Sequence, residues 1–249
     1  MSNDAEAKLR QIPFDFKVAN HMGRDDFMVS ACNKEAFEMI DNWPHWLAAG
    51  LFLYGPHGCG KSHLAHLFVE KLRQTTAKPY PVSIVEARGI SMKSVRRLAA
   101  ENTSIVVENV SEKCDAEALF HLFNIFNQDG RYMLWTGLKA PHYIRFKLAD
   151  LHSRLNMLPC VEIQEPDDVM LQTLIVKLFN DRQLLISPEI LNYIMTNAER
   201  SFSYIQHLVE EIDVLSLACQ TSVNYNIVRK AMDILAHQSS REPDLFADL

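Results

Sequence analysis

Apolar positions follow two patterns along the chain, and the change from one to the other divides it. In the first two thirds, short continuous apolar runs alternate with longer amphipathic stretches. Leu51-Phe52-Leu53-Tyr54, Val82-Ser83-Ile84-Val85, Ser104-Ile105-Val106-Val107 and Tyr132-Met133-Leu134-Trp135-Thr136 read as strands buried on both faces. Between them the apolar spacing is helical: about Asn33 to Asn42 ahead of Trp43-Pro44, and His63 to Arg73 with Leu64, Leu67, Phe68 and Leu72 on one face. Strands alternating with helices imply a parallel sheet covered on both sides, with ligands at the carboxyl ends of its strands. After Val161-Glu162-Ile163 only helical periodicity remains, over about 169–182, 188–198, 201–219 and 224–237. The expected organisation is therefore a polar arm (1–24), an α/β base domain (25–163), a small all-helical subdomain (164–237) and a tail (238–249). No internal repeat or low-complexity segment interrupts it.

The first predicted strand runs into Gly55-Pro56-His57-Gly58-Cys59-Gly60-Lys61-Ser62, which fills every fixed position of the phosphate-binding pattern G-x-x-x-x-G-K-[ST]. A strand before it and a helix after it are what the chemistry requires. Backbone N–H groups and the positive end of the helix dipole then face a phosphate chain, and glycines allow its close approach. Lys61 is expected to reach the outer phosphates and Ser62 a bound magnesium ion. ADP or ATP with magnesium is the cofactor this predicts.

Charge and cysteine usage narrow the partners. A net charge of -6 argues against a wide basic face for duplex DNA, so protein and nucleotide partners are expected, without direct sequence-specific DNA binding. Lys93, Arg96 and Arg97 form only a small basic cluster of the kind found on solvated helix faces. Cys32, Cys59, Cys114, Cys160 and Cys219 lack zinc-site spacing and disulfide density and read as reduced thiols. The N-terminus has neither a basic start nor an apolar stretch, and no run is long enough to span a bilayer, so a cytoplasmic protein is expected. His63 and His66 share a helix face, but no third ligand stands near them in sequence.

Phosphate-loop hydrolases carry an acidic pair at the end of a neighbouring strand, one acid for magnesium and one for the attacking water. The candidate here is Ile105-Val106-Val107-Glu108-Asn109. Glu108 can hold magnesium through water, but the amide of Asn109 cannot take up a proton. Nucleotide binding is expected to outlast hydrolysis.

The order of the phosphate loop, this degenerate acidic pair, then Leu119-Phe120-His121-Leu122-Phe123-Asn124, Leu134-Trp135-Thr136 and Ser153-Arg154-Leu155 resembles the AAA+ domain of the bacterial initiator DnaA. The subgroup it most resembles is the Hda family of DnaA-related regulators, and the likeness covers almost the whole chain. The resemblance implies a three-layer αβα base with a helical lid. It makes Thr136 the polar sensor and Arg154 an arginine finger that reaches a neighbour's nucleotide in trans. The family's second sensor arginine falls at Ser203, with Arg200 one turn earlier as the candidate substitute.

Gln11-Ile12-Pro13-Phe14-Asp15-Phe16 is similar to the family's docking peptide for the DNA sliding clamp, with Gln11, Ile12, Phe14 and Phe16 as anchors. The tail peptide Pro243-Asp244-Leu245-Phe246 reads as a frayed end. The function implied is a regulator of replication initiation: nucleotide-bound, clamp-docked, and stimulating hydrolysis of ATP on DnaA. A homodimer is left open, as is ADP against ATP. A self-sufficient ATPase of the helicase-loader type and a nucleotide-gated adaptor without catalysis are the alternatives.

Overall fold

The computed structural model describes residues 24, 27–75 and 81–241. Helix α1 (Lys34–Asp41) precedes β1 (Gly50–Tyr54), α2 (Lys61–Thr75) and β2 (Val82–Glu86). Then come α3 (Met92–Glu101), β3 (Ser104–Val110), α4 (Ala116–Gln128), β4 (Met133–Gly137), α5 (Ala149–Asn156) and β5 (Cys160–Glu162). The five strands among the described residues are all parallel, in the order β2-β3-β4-β1-β5. Because β1 lies between β4 and β5 rather than beside β2, the turn leaving β1 opens at a point where the strand order reverses. Ligands of open parallel sheets bind at such a point.

The continuous apolar runs follow from burial on both faces, since successive strand residues point to opposite sides. Ile105 and Val107 enter one core with Leu98 of α3, Leu119 and Leu122 of α4 and Leu151 of α5. Val106 enters the other with Ile40 of α1 and Leu64, Phe68 and Leu72 of α2. The result is a helix–sheet–helix sandwich. Phe52 in the interior strand β1 is fully buried, so its truncation to alanine should cost about 3–5 kcal/mol.

Several boundaries differ from the sequence-based expectation: α9 (Tyr225–Arg241) runs past the expected start of the tail at 238, and two strands of the sheet differ as well. Tyr132 stands before β4; its hydroxyl donates to the Pro44 carbonyl at 3.2 Å and its ring packs edge-on against Trp43. β3 continues to Val110 through a bulge: from Val107 to Val110 it takes three steps while β4 takes two, from Trp135 to Gly137. Asn109 occupies the bulge with φ 58°.

After β5 the chain is helical: α6 (Asp168–Asp181), α7 (Pro188–Asn197), α8 (Phe202–Cys219) and α9 (Tyr225–Arg241). Each of the first three starts on a side-chain cap. Asp167 accepts from the Met170 N–H at 2.8 Å, Ser187 precedes a proline in the first turn, and Ser201 accepts from the Tyr204 N–H at 3.1 Å. These helices enclose a core of their own around Leu171, Ile175, Phe179, Ile194, Ile205, Leu208 and Ile212. No helix among the described residues is long and apolar enough to cross a membrane.

Candidate nucleotide-binding site

The turn from β1 into α2 is held from both sides. At Gly55 a Cβ would fall 2.1 Å from the Ile163 carbonyl oxygen, so only glycine lets the loop leave the sheet beside the segment following β5. Gly58 has φ 67°, and its missing Cβ would meet Ser203 Oγ at 2.5 Å and the Ser201 Cβ at 2.9 Å. The Phe202 N–H donates to the Gly58 carbonyl at 3.0 Å. The first turn of α8 therefore rests on the phosphate loop, and the helical subdomain closes a cleft of about 540 Å³ over it.

His57, Gly58, Gly60, Lys61 and Ser62 line this cleft from the loop, Asn109 from β3, and Phe202, Ser203 and Gln206 from α8. The Lys61 side chain is folded back under the loop, where its Nζ donates to the Gly55 carbonyl at 2.8 Å and the Pro56 carbonyl at 2.6 Å. Lys61 is only 7% exposed, and burial pushes its ammonium below the ordinary lysine range. Burial likewise pushes the neighbouring Cys59 thiol up. A buried cation beneath a glycine cradle is a site that an oligophosphate fits, because the phosphate supplies a counter-charge where the ammonium is held by neutral carbonyls.

The Ser62 hydroxyl donates to Glu108 Oε1 at 2.7 Å. The two residues expected to face magnesium thus meet at the mouth of the loop, an all-oxygen pair of the kind a hydrated Mg²⁺ prefers. Thr136 is fully buried and reaches the cleft through Asn109, whose backbone N–H donates to Thr136 Oγ1 at 3.2 Å. The Asn109 side chain extends the other way and donates to Glu86 Oε1 at 2.7 Å.

The two arginines singled out in the sequence lie outside the cleft, Arg154 having been expected to act on a neighbour's nucleotide and Arg200 on this chain's own. Arg154 is exposed on α5, on the sheet face opposite α2 and outside the cleft lining. Arg200 is also outside the lining and pairs with Asp168 at the start of α6, while Ser203 lines the cleft. A contact from Arg200 to the cleft requires its release from Asp168. Gln11, Ile12, Phe14 and Phe16 lie outside the described residues.

Sequence reasoning missed the other end of the cleft, which Phe27, Met28, Asn33, Leu174 and Leu178 line with Lys177 and Arg182. The Phe27 ring stacks on Phe37 at 5.6 Å and meets His63 edge-on at 5.0 Å. Asn33, buried at 1% exposure, holds this segment: it accepts from the Ser30 N–H and donates to the Met28 carbonyl, both at 2.9 Å. The available signal was the mixture of Leu174, Lys177, Leu178 and Asp181 on one face of α6, too polar for a core stripe and too apolar for a solvated one.

No family model matches the chain. It is 20% identical over 206 residues to the chromosomal replication initiator protein DnaA of Bacteroides thetaiotaomicron, a match covering 77% of this chain and 44% of the relative. Domain III of the Thermotoga maritima replication initiation protein DnaA superposes with a TM-score of 0.72 at 17% identity, over 84% of this chain and 94% of that domain. The chain is similar in sequence to DnaA and has the fold of the DnaA AAA+ domain. Its DnaA-like fold extends to the Aquifex aeolicus DnaA bound to AMPPCP, with a TM-score of 0.64 at 20% identity over 78% of this chain and 64% of that one. The chain spans about half the length of the curated relatives it matches.

Proposed function

We propose that the chain is a regulator of the Hda kind, one that binds adenine nucleotide in its own cleft and promotes hydrolysis of ATP held by an initiator DnaA. In this reading Gly55 to Ser62 hold the phosphates, with Lys61 the counter-charge and Ser62 with Glu108 the magnesium ligands. Thr136 acts as sensor through Asn109, and the end of the cleft lined by Phe27, Met28 and Leu174 takes the purine. A DnaA fold bound to a nucleotide analogue supports this use of the cleft.

The observation that carries the partner-directed role is the place of Arg154. It is exposed on α5 and stands apart from the chain's own cleft, so its guanidinium is available to a nucleotide on a second molecule. A guanidinium delivered in this way neutralises charge developing on the transferred phosphoryl group and is worth on the order of 10³ in rate or more. Gln11, Ile12, Phe14 and Phe16 would dock the chain on the DNA sliding clamp and so bring Arg154 to the initiator.

Phosphate release from ATP-loaded initiator DnaA of the same organism, with clamp loaded on DNA, tests the reading. This chain should accelerate it, and Arg154→Ala should abolish the acceleration while still binding ADP. An initiator rate indifferent to the chain overturns the proposal. The Ser62–Glu108 contact favours a second reading, a self-sufficient ATPase of the helicase-loader kind. Hydrolysis by the chain alone, with no effect on DnaA, would select it.

A further inference from the structure

Asn109 follows Glu108 where a hydrolase needs a carboxylate beside the attacking water, and an amide cannot accept that water's proton. The surroundings of Asn109 supply what its side chain lacks. The bulge in β3 puts the residue in the left-handed region and onto the cleft lining. Its main chain is tied to β4 through Thr136 Oγ1, and its side-chain amide to β2 through Glu86 Oε1 at 2.7 Å. Glu86 is the last residue of β2 and pairs in register with Glu108. A carboxylate therefore stands one hydrogen bond beyond the amide, at the carboxyl end of β2 beside Glu108 and just behind the residues that line the cleft. An exposed Asn–Glu hydrogen bond adds little stability, while a left-handed residue in a bulge costs some, so stability does not account for the arrangement.

We propose that Glu86 and Asn109 act together at the nucleotide site, with the Asn109 amide orienting the attacking water and the Glu86 carboxylate accepting its proton. The inference rests on reading the cleft as a nucleotide site. In the step, a bond forms from the water oxygen to the terminal phosphorus. The bond from that phosphorus to the bridging oxygen breaks, and ADP leaves with the electron pair. The proton passes to Glu86, whose exposure lets it return to solvent. The acid of the usual pair has in effect moved one strand outward, and Asn109 is its positioning partner rather than the mark of a dead site.

The test uses the full chain and three readouts: single-turnover hydrolysis of ATP with magnesium, affinity for ADP, and affinity for ADP with aluminium fluoride, which needs no turnover. Glu86→Gln should lower the hydrolysis rate about a hundredfold, the lower end of what a general base supplies, and leave ADP affinity unchanged. The preference for ADP–aluminium fluoride over ADP should fall in parallel. The double variant Glu86→Gln/Asn109→Asp exchanges donor and acceptor across the same hydrogen bond and should regain most of both losses. Wild-type hydrolysis in Glu86→Gln, a double variant as inactive as the single one, or no turnover by the wild type overturns the inference. If no variant binds ADP or ATP, the nucleotide reading falls with it. If ADP binds and Glu86 is indifferent, this inference alone falls.

Discussion

Gly58→Ala separates the lid's seat on the phosphate loop from ordinary backbone strain. Two glycines share nearly the same left-handed conformation, Gly58 at φ 67° and Gly130 at φ 64°, but a Cβ at Gly130 would meet nothing within 4 Å. Alanine at either position pays the left-handed penalty of about 1–2 kcal/mol. At Gly58 the methyl group also meets Ser201 and Ser203 at 2.5 to 2.9 Å. Ser203 can rotate away, but the Ser201 Cβ cannot move without its backbone, and Ser201 is the cap of α8. Such overpacking costs about 1–3 kcal/mol. The difference between the two variants should therefore appear as roughly 2–12 °C in the midpoint of thermal unfolding, taking about 2–4 °C per kcal/mol for a chain of this size. ADP affinity supplies the second readout: it should fall in Gly58→Ala, because α8 lines the cleft, and stay at the wild-type level in Gly130→Ala. If the two variants match in both measurements, α8 does not rest on the loop in solution and the account of the closed cleft is wrong.

Three further outcomes are expected. Lys61→Met keeps the apolar stem but removes the cation, and isothermal titration should show ADP affinity reduced by about 10- to 150-fold, the loss of a charged hydrogen bond of about 1.5–3 kcal/mol. Thr136→Val leaves the Asn109 N–H without its acceptor; denaturant unfolding should report a loss of about 1 kcal/mol. Asp41 binds Arg24 at 2.8 Å and Lys71 at 3.0 Å, and these partners, Arg24 foremost, hold its carboxyl at about 2 against an ordinary 3.8. Because the folded value is the lower one, the stabilisation is present above 3.8 and lost as pH falls through about 2. Asp41→Asn should flatten that part of the stability–pH curve, by less than about 1 kcal/mol given the exposure of the pair, and added salt should shrink the difference.

The sheet and its helices were legible in the chain because burial on both faces leaves an unambiguous mark. Val106 and Val107 serve opposite cores, so neither could be polar, and the same holds for Leu134 and Trp135. The phosphate loop was legible because its glycines answer local demands, a close approach at Gly55 and a left-handed turn at Gly58. The contacts that complete the cleft join residues far apart in the chain and left no periodic trace. Phe202 donates to Gly58 across the boundary between sheet and lid, and beside the cleft Asp168 of α6 captures Arg200 from the loop before α8. Asn109 was half legible. Its side chain announced the loss of an acid, whereas its conformation could be seen only once the bulge was placed. Asparagine is among the few residues other than glycine that tolerate a left-handed backbone, and glutamate is not. The bulge therefore disfavours the usual second acid on conformational grounds alone, and a carboxylate serving this site would have to be the shorter aspartate or come from another strand. Glu86, which accepts the hydrogen bond of the Asn109 amide, is the residue we propose for that role.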